Sequence, residues 1–282
     1  MSLTFCRFGE YPAPAKINLF LHVVGRRADG YHLLQTVFRL LDFGDRIRLA
    51  PRIDGVVQLA TPLPGVPPEQ DLTVRAARLI QEGCHSHAGV TIGIEKHIPA
   101  GGGLGGGSSD AATVLMGLND LWRRHLSKDE LKALGLRLGA DVPVFIHGRS
   151  TFAQGIGERF HDVELPPAVY LITVPAVSVS TAEIFSAPEL ERNAPPIDPR
   201  EWRPGFGCNM LEPVVTARYP EVARHLALLR ELSPLARMSG SGACCFAEFA
   251  SQEEAETAQA RLPPDVRSFV ARALDHHPLR CR

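Results

Sequence analysis

Apolar residues along the chain fall into short blocks with two different periods. Residues 17–24 are a dense apolar run and predict a buried strand, followed by the turn chemistry of Arg26-Arg27-Ala28-Asp29-Gly30. Residues 33–43 are apolar again until Gly44-Asp45, which the pattern reads as a break. Residues 46–49 and 56–59 alternate as short strands, and residues 61–68, with four prolines, read as a loop. Residues 72–82 have helical spacing and Gly83 stops them, while residues 90–95 alternate as a strand. Ala111, Val114, Leu115, Leu118, Leu121 and Trp122 form one apolar helical face. Ser108, Ser109 and Asp110 precede that face and are all N-cap types. A second helix is predicted over 128–138, capped by Ser127 and ended by Gly139.

Further along, residues 151–154 and 169–174 read as strands and the proline-rich stretch 186–207 as a loop. A helix is predicted over 221–232, a strand, glycine turn and strand over 237–249, a helix over 251–262 and a last strand over 266–273. Irregular alternation, with short β pairs in both halves, favours an α+β fold over a doubly wound sheet. A length of 282 residues suits one large or two modest domains. The pattern places the junction near 148–166 and divides the chain into 1–155 and 156–282.

Composition narrows the function classes. With 45% hydrophobic and 22% charged residues, the chain can bury a core without disulfide or metal staples. The 30 basic and 31 acidic residues leave no global field for a nucleic acid or an anionic membrane, although a local phosphate pocket remains open. Residues 1–14 lack the apolar core of a signal peptide, and no stretch approaches the roughly 18 apolar residues of a membrane span. The expected compartment is the cytoplasm. Cys6, Cys84, Cys208, Cys244, Cys245 and Cys281 form no Cys-x-x-Cys pair and are expected to be reduced. Cys84-His85-x-His87 is a fragment of a metal pattern without a second ligand cluster. Lys16, Lys96, Lys128 and Lys132 are the lysines among mostly arginine basic residues, so each invites inspection.

The strongest chemical signal is Ile98-Pro99-Ala100-Gly101-Gly102-Gly103-Leu104-Gly105-Gly106-Gly107-Ser108-Ser109-Asp110, which runs directly into a helix. Glycine admits close backbone approach and positive φ, and successive N–H groups at a helix N-terminus favour an anion. A P-loop would need Gly-Lys-Ser/Thr, and Gly107 is followed by Ser108. Gly101, Gly103 and Gly106 fit the dinucleotide fingerprint, but Asp120 lies inside the first helix rather than after a second strand. A flexible linker would not sit between a strand and a well-formed amphipathic helix. A nucleoside triphosphate cradle of another type remains.

Residues 99–110 resemble the second motif of the GHMP kinase family, Met238-Ser239-Gly240-Ser241-Gly242-Ala243 its third, and Pro14-Ala15-Lys16-Ile17-Asn18-Leu19 its first. The three occur in the family's order and span nearly the whole chain. The resemblance implies two α+β domains, the first like domain 2 of ribosomal protein S5 and the second ferredoxin-like. It implies a small-molecule kinase using ATP with Mg²⁺. Arg27-Ala28-Asp29-Gly30-Tyr31-His32-x-x-Gln35-Thr36, Leu138-Gly139-Ala140-Asp141-Val142-Pro143-Val144-Phe145 and Gly155-Ile156-Gly157-Glu158 are similar to one branch of the family. That branch phosphorylates the 2-hydroxyl of cytidine diphosphate methylerythritol, in the non-mevalonate route to isoprenoid precursors. Another kinase of the family, of homoserine or mevalonate type, and a catalytically silent ligand-binding protein on the same fold are the alternatives. Monomer and homodimer both stay open.

The resemblance also assigns roles. From pattern alone, Lys16 reads as a strand-edge lysine and Asp141, in Gly-Ala-Asp-x-Pro, equally as a helix cap. By resemblance they are the catalytic pair: Asp141 orients the attacking hydroxyl and accepts its proton, and Lys16 stabilises charge beside the transferring phosphate. Pro99 to Ser109 would cradle ATP, helped by Gly240, Ser241 and Gly242 and, more weakly, by Lys96. Tyr31 and Phe185 would sandwich the cytosine, His32 would hydrogen-bond it, and Asn18 and Thr181 would contact the acceptor. No metal ligand is evident, Ser108 being the one candidate.

Overall fold

The first two strands are long and form one antiparallel hairpin, β1 (Glu10–Arg26) and β2 (His32–Arg52). A computed structural model describes residues 9–62, 65–84 and 87–279 of the chain. The break expected at Gly44-Asp45 is absent, because β2 runs straight through it. Gly44 lies so close to β1 that a Cβ there would stand 2.2 Å from the Ala13 carbonyl oxygen. The glycine is thus a site of close backbone approach beside the irregular register between Pro14 and Lys16. Asp45 is fully buried, and its carboxylate accepts the backbone N–H groups of His97 and Ile98. A polar doublet within a strand was satisfied internally, which a pattern of polarity alone cannot show.

The remaining strands are β3 (Val57–Leu59), β4 (Gly89–Glu95), β5 (Thr151–Gly155), β6 (Arg159–Asp162), β7 (Val169–Thr173), β8 (Arg237–Met238), β9 (Cys245–Phe249) and β10 (Ser268–Leu274). They join a ten-stranded sheet whose main path is β3-β4-β2-β10-β7-β9-β8, with β1 and β5 also on β2 and β6 on β5. β10 is the seam, since it pairs with β7 along most of its length and with Leu40 and Leu41 of β2 at its end.

Four helices pack with the first half of the chain: α1 (Leu72–Gly83), α2 (Gly106–Leu121), α3 (Lys128–Leu136) and α4 (Val142–His147). Asp71 caps α1 through the Thr73 and Val74 N–H groups, and Ser127 with Glu130 forms a capping box on α3. α5 (Thr181–Ser186), α6 (Glu212–Arg218), α7 (Pro220–Leu232) and α8 (Gln252–Gln259) belong to the second half. Periodicity missed α4, α5 and α6, which are six or seven residues long, too short to show a helical period, although the cap reading of Asp141 marks the start of α4. The expected cap of α2 is corrected as well. Its N-cap is Gly105, in the left-handed region at φ 73°, and Ser108, Ser109 and Asp110 lie within the first turn. No helix among the described residues is long and apolar enough to cross a membrane.

Three apolar clusters hold the elements together. One lies between α1, α2, α4 and the first half of the sheet, and one between α6, α7 and the second half. The third joins the halves, with Ile17, Phe20 and Val37 packed with Tyr170, Ile172 and Phe246, and it reaches Ile98 and Leu104 of the glycine strap. The strap is thereby fastened to the core that unites both halves.

The Gly44 crossing yields a stability test. Gly44→Ala should force β1 and β2 apart and cost about 1–3 kcal/mol, the range for overpacking a tight site. Urea titration should show a lower midpoint at unchanged slope. An unchanged midpoint would mean that the strands do not depend on this approach.

Candidate active site

The two glycine turns are built as one unit. Ala243 donates its N–H to the Gly101 carbonyl at 3.1 Å, Cys244 donates to that of Gly102 at 3.1 Å, and the Ser239 hydroxyl donates to that of Gly103 at 3.0 Å. A Cβ on Gly103, which has φ 72°, would stand 2.0 Å from the Ser239 carbonyl oxygen. Asn209 holds the second turn from behind, its Nδ2 donating to the Met238 and Gly240 carbonyls at 2.8 and 2.7 Å. α2 then starts at Gly106, and its first intrahelical bond is from the Ser109 N–H to the Gly105 carbonyl. The N–H groups of Gly106, Gly107 and Ser108 precede that bond, so these donors without an intrahelical acceptor lie at the cleft wall, the type of helix start that favours an anion.

The cleft has a volume of about 550 Å³. Its wall includes Pro99 to Ser108 and Gly240 to Gly242, together with Lys16, Asn18, Lys96, Asp141, Thr181 and Phe185. Ser109 lies outside that wall; its hydroxyl is buried and donates to the Pro14 carbonyl at 2.7 Å, fastening the strap to β1. The Lys16 N–H ties the same two segments by donating to the Leu104 carbonyl at 3.0 Å.

Lys16 is 3% exposed, and its ammonium is answered on several sides. Nζ lies 2.7 Å from Asn18 Oδ1, 3.0 Å from the Gly103 carbonyl and 3.2 Å from Asp141 Oδ2, and 5.4 Å above the Phe38 ring. A buried charge needs such compensation. Asp141 occupies the N-cap position of α4, yet its carboxylate makes no capping hydrogen bond. It faces Lys16 instead and keeps 37% of its side-chain surface open to the cleft. Gly105 makes room for this pair: a Cβ there would meet Phe145 Cζ at 2.9 Å and Lys16 Cε at 3.1 Å.

Asn18 is largely committed within the protein. Besides accepting from Lys16, it donates from Nδ2 to the Thr36 hydroxyl at 2.9 Å and from its N–H to the Ser239 hydroxyl at 3.3 Å. Lys96 is likewise engaged, bonded to Asp45 and lying 2.8 Å from Asp110. Burial pushes the Asp110 carboxyl up, against the pull of the Lys96 ammonium. Lys96 therefore meets the cleft with its charge already matched. Asp45 and Asp110 escaped the sequence reading because nothing in their spacing pairs them with Lys96.

Thr181 begins α5, and its hydroxyl lies 2.7 Å from that of Ser241 in the second glycine turn. Phe185, at the other end of α5, turns its ring onto His32, with centroids 4.9 Å apart and planes tilted by 30°. Tyr31 is 58% exposed and lies outside the cleft wall. The structure thus brings His32 and Phe185 together and leaves Tyr31 on the outer turn. Arg192, which no motif marked, donates to His32 Nε2 at 3.0 Å. Burial lowers the proton affinity of His32, and the charges of Arg192 and Arg26 lower it further.

Among the described residues no group of three His, Cys, Asp or Glu side chains is placed to hold a metal ion. Cys84, Cys208, Cys244 and Cys245 are free thiols, whereas Cys6, Cys281 and His85 lie outside the described residues.

Comparison with known proteins bears on what this cleft does. The model of the GHMP kinase N-terminal domain matches residues 71–149, and that of the GHMP kinase C-terminal domain matches 195–266. The chain is 59% identical over 269 residues to the 4-diphosphocytidyl-2-C-methyl-D-erythritol kinase of Dechloromonas aromatica, covering 95% of this chain and 98% of that one. It is 57% identical to the enzyme of the same name from Nitrosospira multiformis, over 95% and 92% of the two chains. A solved 4-(cytidine 5′-diphospho)-2C-methyl-D-erythritol kinase superposes with a TM-score of 0.81 at 35% identity, covering 94% of this chain and 98% of that one. A homoserine kinase from Cytophaga hutchinsonii shares the fold at a TM-score of 0.70 and 16% identity, over 98% of each chain. With both domain models matched and such relatives aligned nearly end to end, the chain belongs to the GHMP kinase family and, within it, to the 4-diphosphocytidyl-2-C-methyl-D-erythritol kinases.

Proposed function

We propose that this chain transfers the γ-phosphoryl group of ATP to the 2-hydroxyl of 4-diphosphocytidyl-2-C-methyl-D-erythritol, releasing ADP and the 2-phosphate. The observation that carries this reading is the Lys16–Asp141 pair, 3.2 Å apart at a cleft wall shared with both glycine turns. Asp141, free of capping duty, orients the acceptor hydroxyl and takes its proton as the new bond to phosphorus forms. Lys16, fixed by Asn18 and the Gly103 carbonyl, sets a positive charge where the transferring oxygens gather charge. The N–H groups of Gly106 to Ser108 hold the phosphates, and the turn of Gly240 to Gly242 closes the cradle from the second half. Ser109 supports the cradle from behind.

ATP brings the activated phosphoryl group, and Mg²⁺ is proposed to travel with it. The fit is one of hard oxygen donors: the Ser108 hydroxyl and the Asp141 carboxylate border the cleft. An ion of this kind takes most of its ligands from phosphates and water, so it needs no dedicated protein cage. Phe185, His32 and Tyr31 are proposed to bind the cytosine, with Thr181 beside the acceptor. The protein is expected to work in the cytoplasm. The β5–β6 hairpin lies within one sheet, so we place the domain junction at 163–168 rather than at 155/156.

A coupled assay of ADP release should show turnover with 4-diphosphocytidyl-2-C-methyl-D-erythritol and none with homoserine or mevalonate. Turnover on either of the latter in preference would overturn the acceptor assignment. Asp141→Asn should fold and bind ATP yet lose about 10²–10⁴ in kcat, the usual contribution of a positioned base. Lys16→Met should lose comparably while filling the same space. Near-normal rates in either variant would remove that residue from the chemistry.

Gly105→Val tests the cradle. The added side chain meets Phe145 and Lys16 and cannot readily adopt φ 73°. A strain of about 1–3 kcal/mol predicts a 5- to 150-fold weaker ATP affinity, together with a lower kcat because Lys16 is displaced. Unchanged affinity by calorimetry in a folded variant would place the phosphates elsewhere.

The cytosine clamp is tested with CMP. CMP should compete with the acceptor but not with ATP. Tyr31→Ala and Phe185→Ala should each weaken acceptor binding by about 1–3 kcal/mol, the worth of one stacking face. Because Tyr31 is 58% exposed, its truncation should leave the melting temperature nearly unchanged. A large drop in melting temperature with intact CMP competition would make Tyr31 structural.

A further inference from the structure

Arg192 lies in the segment between α5 and α6 that has no helix or strand, and all three nitrogens of its guanidinium nevertheless donate hydrogen bonds. Nη1 donates to the Leu190 carbonyl at 2.8 Å, and Nη2 donates to the Phe185 and Ala187 carbonyls at 2.9 and 2.6 Å. These bonds bind it to the end of α5 and the turn that follows. The remaining nitrogen, Nε, reaches across to the first residue of β2 and donates to His32 Nε2 at 3.0 Å. One side chain therefore links the helix that carries Phe185 to the hairpin turn that carries Tyr31 and His32.

The chemistry of that contact fixes a proton. A guanidinium is always protonated and has no acceptor. His32 Nε2 must therefore offer its lone pair, so the neutral ring carries its proton on Nδ1. Nδ1 has no hydrogen-bond partner among the described residues, and the ring plane is set by its contact with Phe185. A cytosine edge offers acceptors at N3 and O2, which call for a donor of this kind.

We propose that Arg192 is a positioning residue of the pyrimidine subsite: it locks His32 as the Nδ1–H tautomer with its ring on Phe185, so that Nδ1–H is the donor turned to the acceptor's base. The proposal deepens the cytidine reading above and rests on it for the identity of the base. The tautomer itself is a property of the free enzyme. The cationic groups acting on His32 are Arg192 and Arg26, and both oppose its charging. Removing Arg192 removes one of them.

The test uses the full-length enzyme labelled with ¹⁵N-histidine. In the wild type without ligand, the His32 ring should show a protonated Nδ1 and a bare Nε2 near pH 7.5. In Arg192→Met the ring should shift toward the Nε2–H form and titrate at higher pH. Acceptor KM should rise about tenfold, ATP KM should stay within twofold, and kcat should fall less than kcat/KM, as for lost uniform binding. Arg192→Lys keeps the charge but lacks the fork, so it should restore the low titration of His32 better than it restores acceptor KM. A wild-type His32 protonated at Nε2 overturns the proposal even if no variant folds. An unchanged tautomer and acceptor KM in a folded Arg192→Met overturn it as well. An Arg192-dependent tautomer in an enzyme that CMP does not inhibit would overturn the cytosine half and leave the link between Arg192 and His32 standing.

Discussion

A buried ammonium is the constraint on which the site depends. Lys16 sits on an apolar strand with almost no access to water, and an unpaired charge there would cost several kcal/mol. The protein answers it with an amide oxygen, a backbone carbonyl, a carboxylate and a ring face. Each answer comes from a different part of the chain: Asn18 from β1, Gly103 from the strap, Asp141 from the start of α4 and Phe38 from β2. To satisfy one charge the fold must bring these parts to one point, and that point is where the proposed phosphoryl transfer would take place. Among the side chains that answer it, the Asp141 carboxylate is the one that remains partly open, which suits the role proposed for it.

The cradle follows from the same economy of space. A phosphate loop cannot be rigid by side-chain packing when it is made of glycine. Here rigidity comes from the backbone of a second glycine turn, against which Gly101, Gly102 and Gly103 are hydrogen-bonded or pressed. Ser109 and Lys16 fasten the other side of the strap to β1. Residues more than 130 positions apart thus form one surface, and neither turn can move without its neighbour. That arrangement fits a reaction in which the protein does little covalent chemistry and gains its rate from fixed geometry.

How much was legible in the sequence depended on the range of the interaction. The glycine strap, its helix and the capping of α3 by Ser127 were readable, because each is written within a few residues. The Gly44-Asp45 doublet was misread as a break for the opposite reason. Gly44 is required by the backbone of β1, some 30 positions earlier, and Asp45 by the N–H groups of His97 and Ile98. Asp110 was read as a cap because cap types are local, whereas its partner Lys96 is fixed by the tertiary fold. Asp141 was balanced between cap and catalyst on pattern alone. The structure removes the capping hydrogen bond and turns the carboxylate to Lys16, a direction that no local pattern encodes.

The segment between α5 and α6 shows why absence of regular structure does not mean absence of role. It reads as a proline-rich loop, and it is one, yet it carries Arg192, which holds His32, and leads into Asn209, which holds the second glycine turn. A loop without internal hydrogen-bond ladders has free carbonyls and must find donors for them. A guanidinium supplies several at once, and in doing so it turns its Nε–H to His32. The demand that folds the loop is therefore the same demand that would set the proposed proton on His32. On that proposal, the backbone's need for partners and the ligand's need for an oriented donor are met by one side chain.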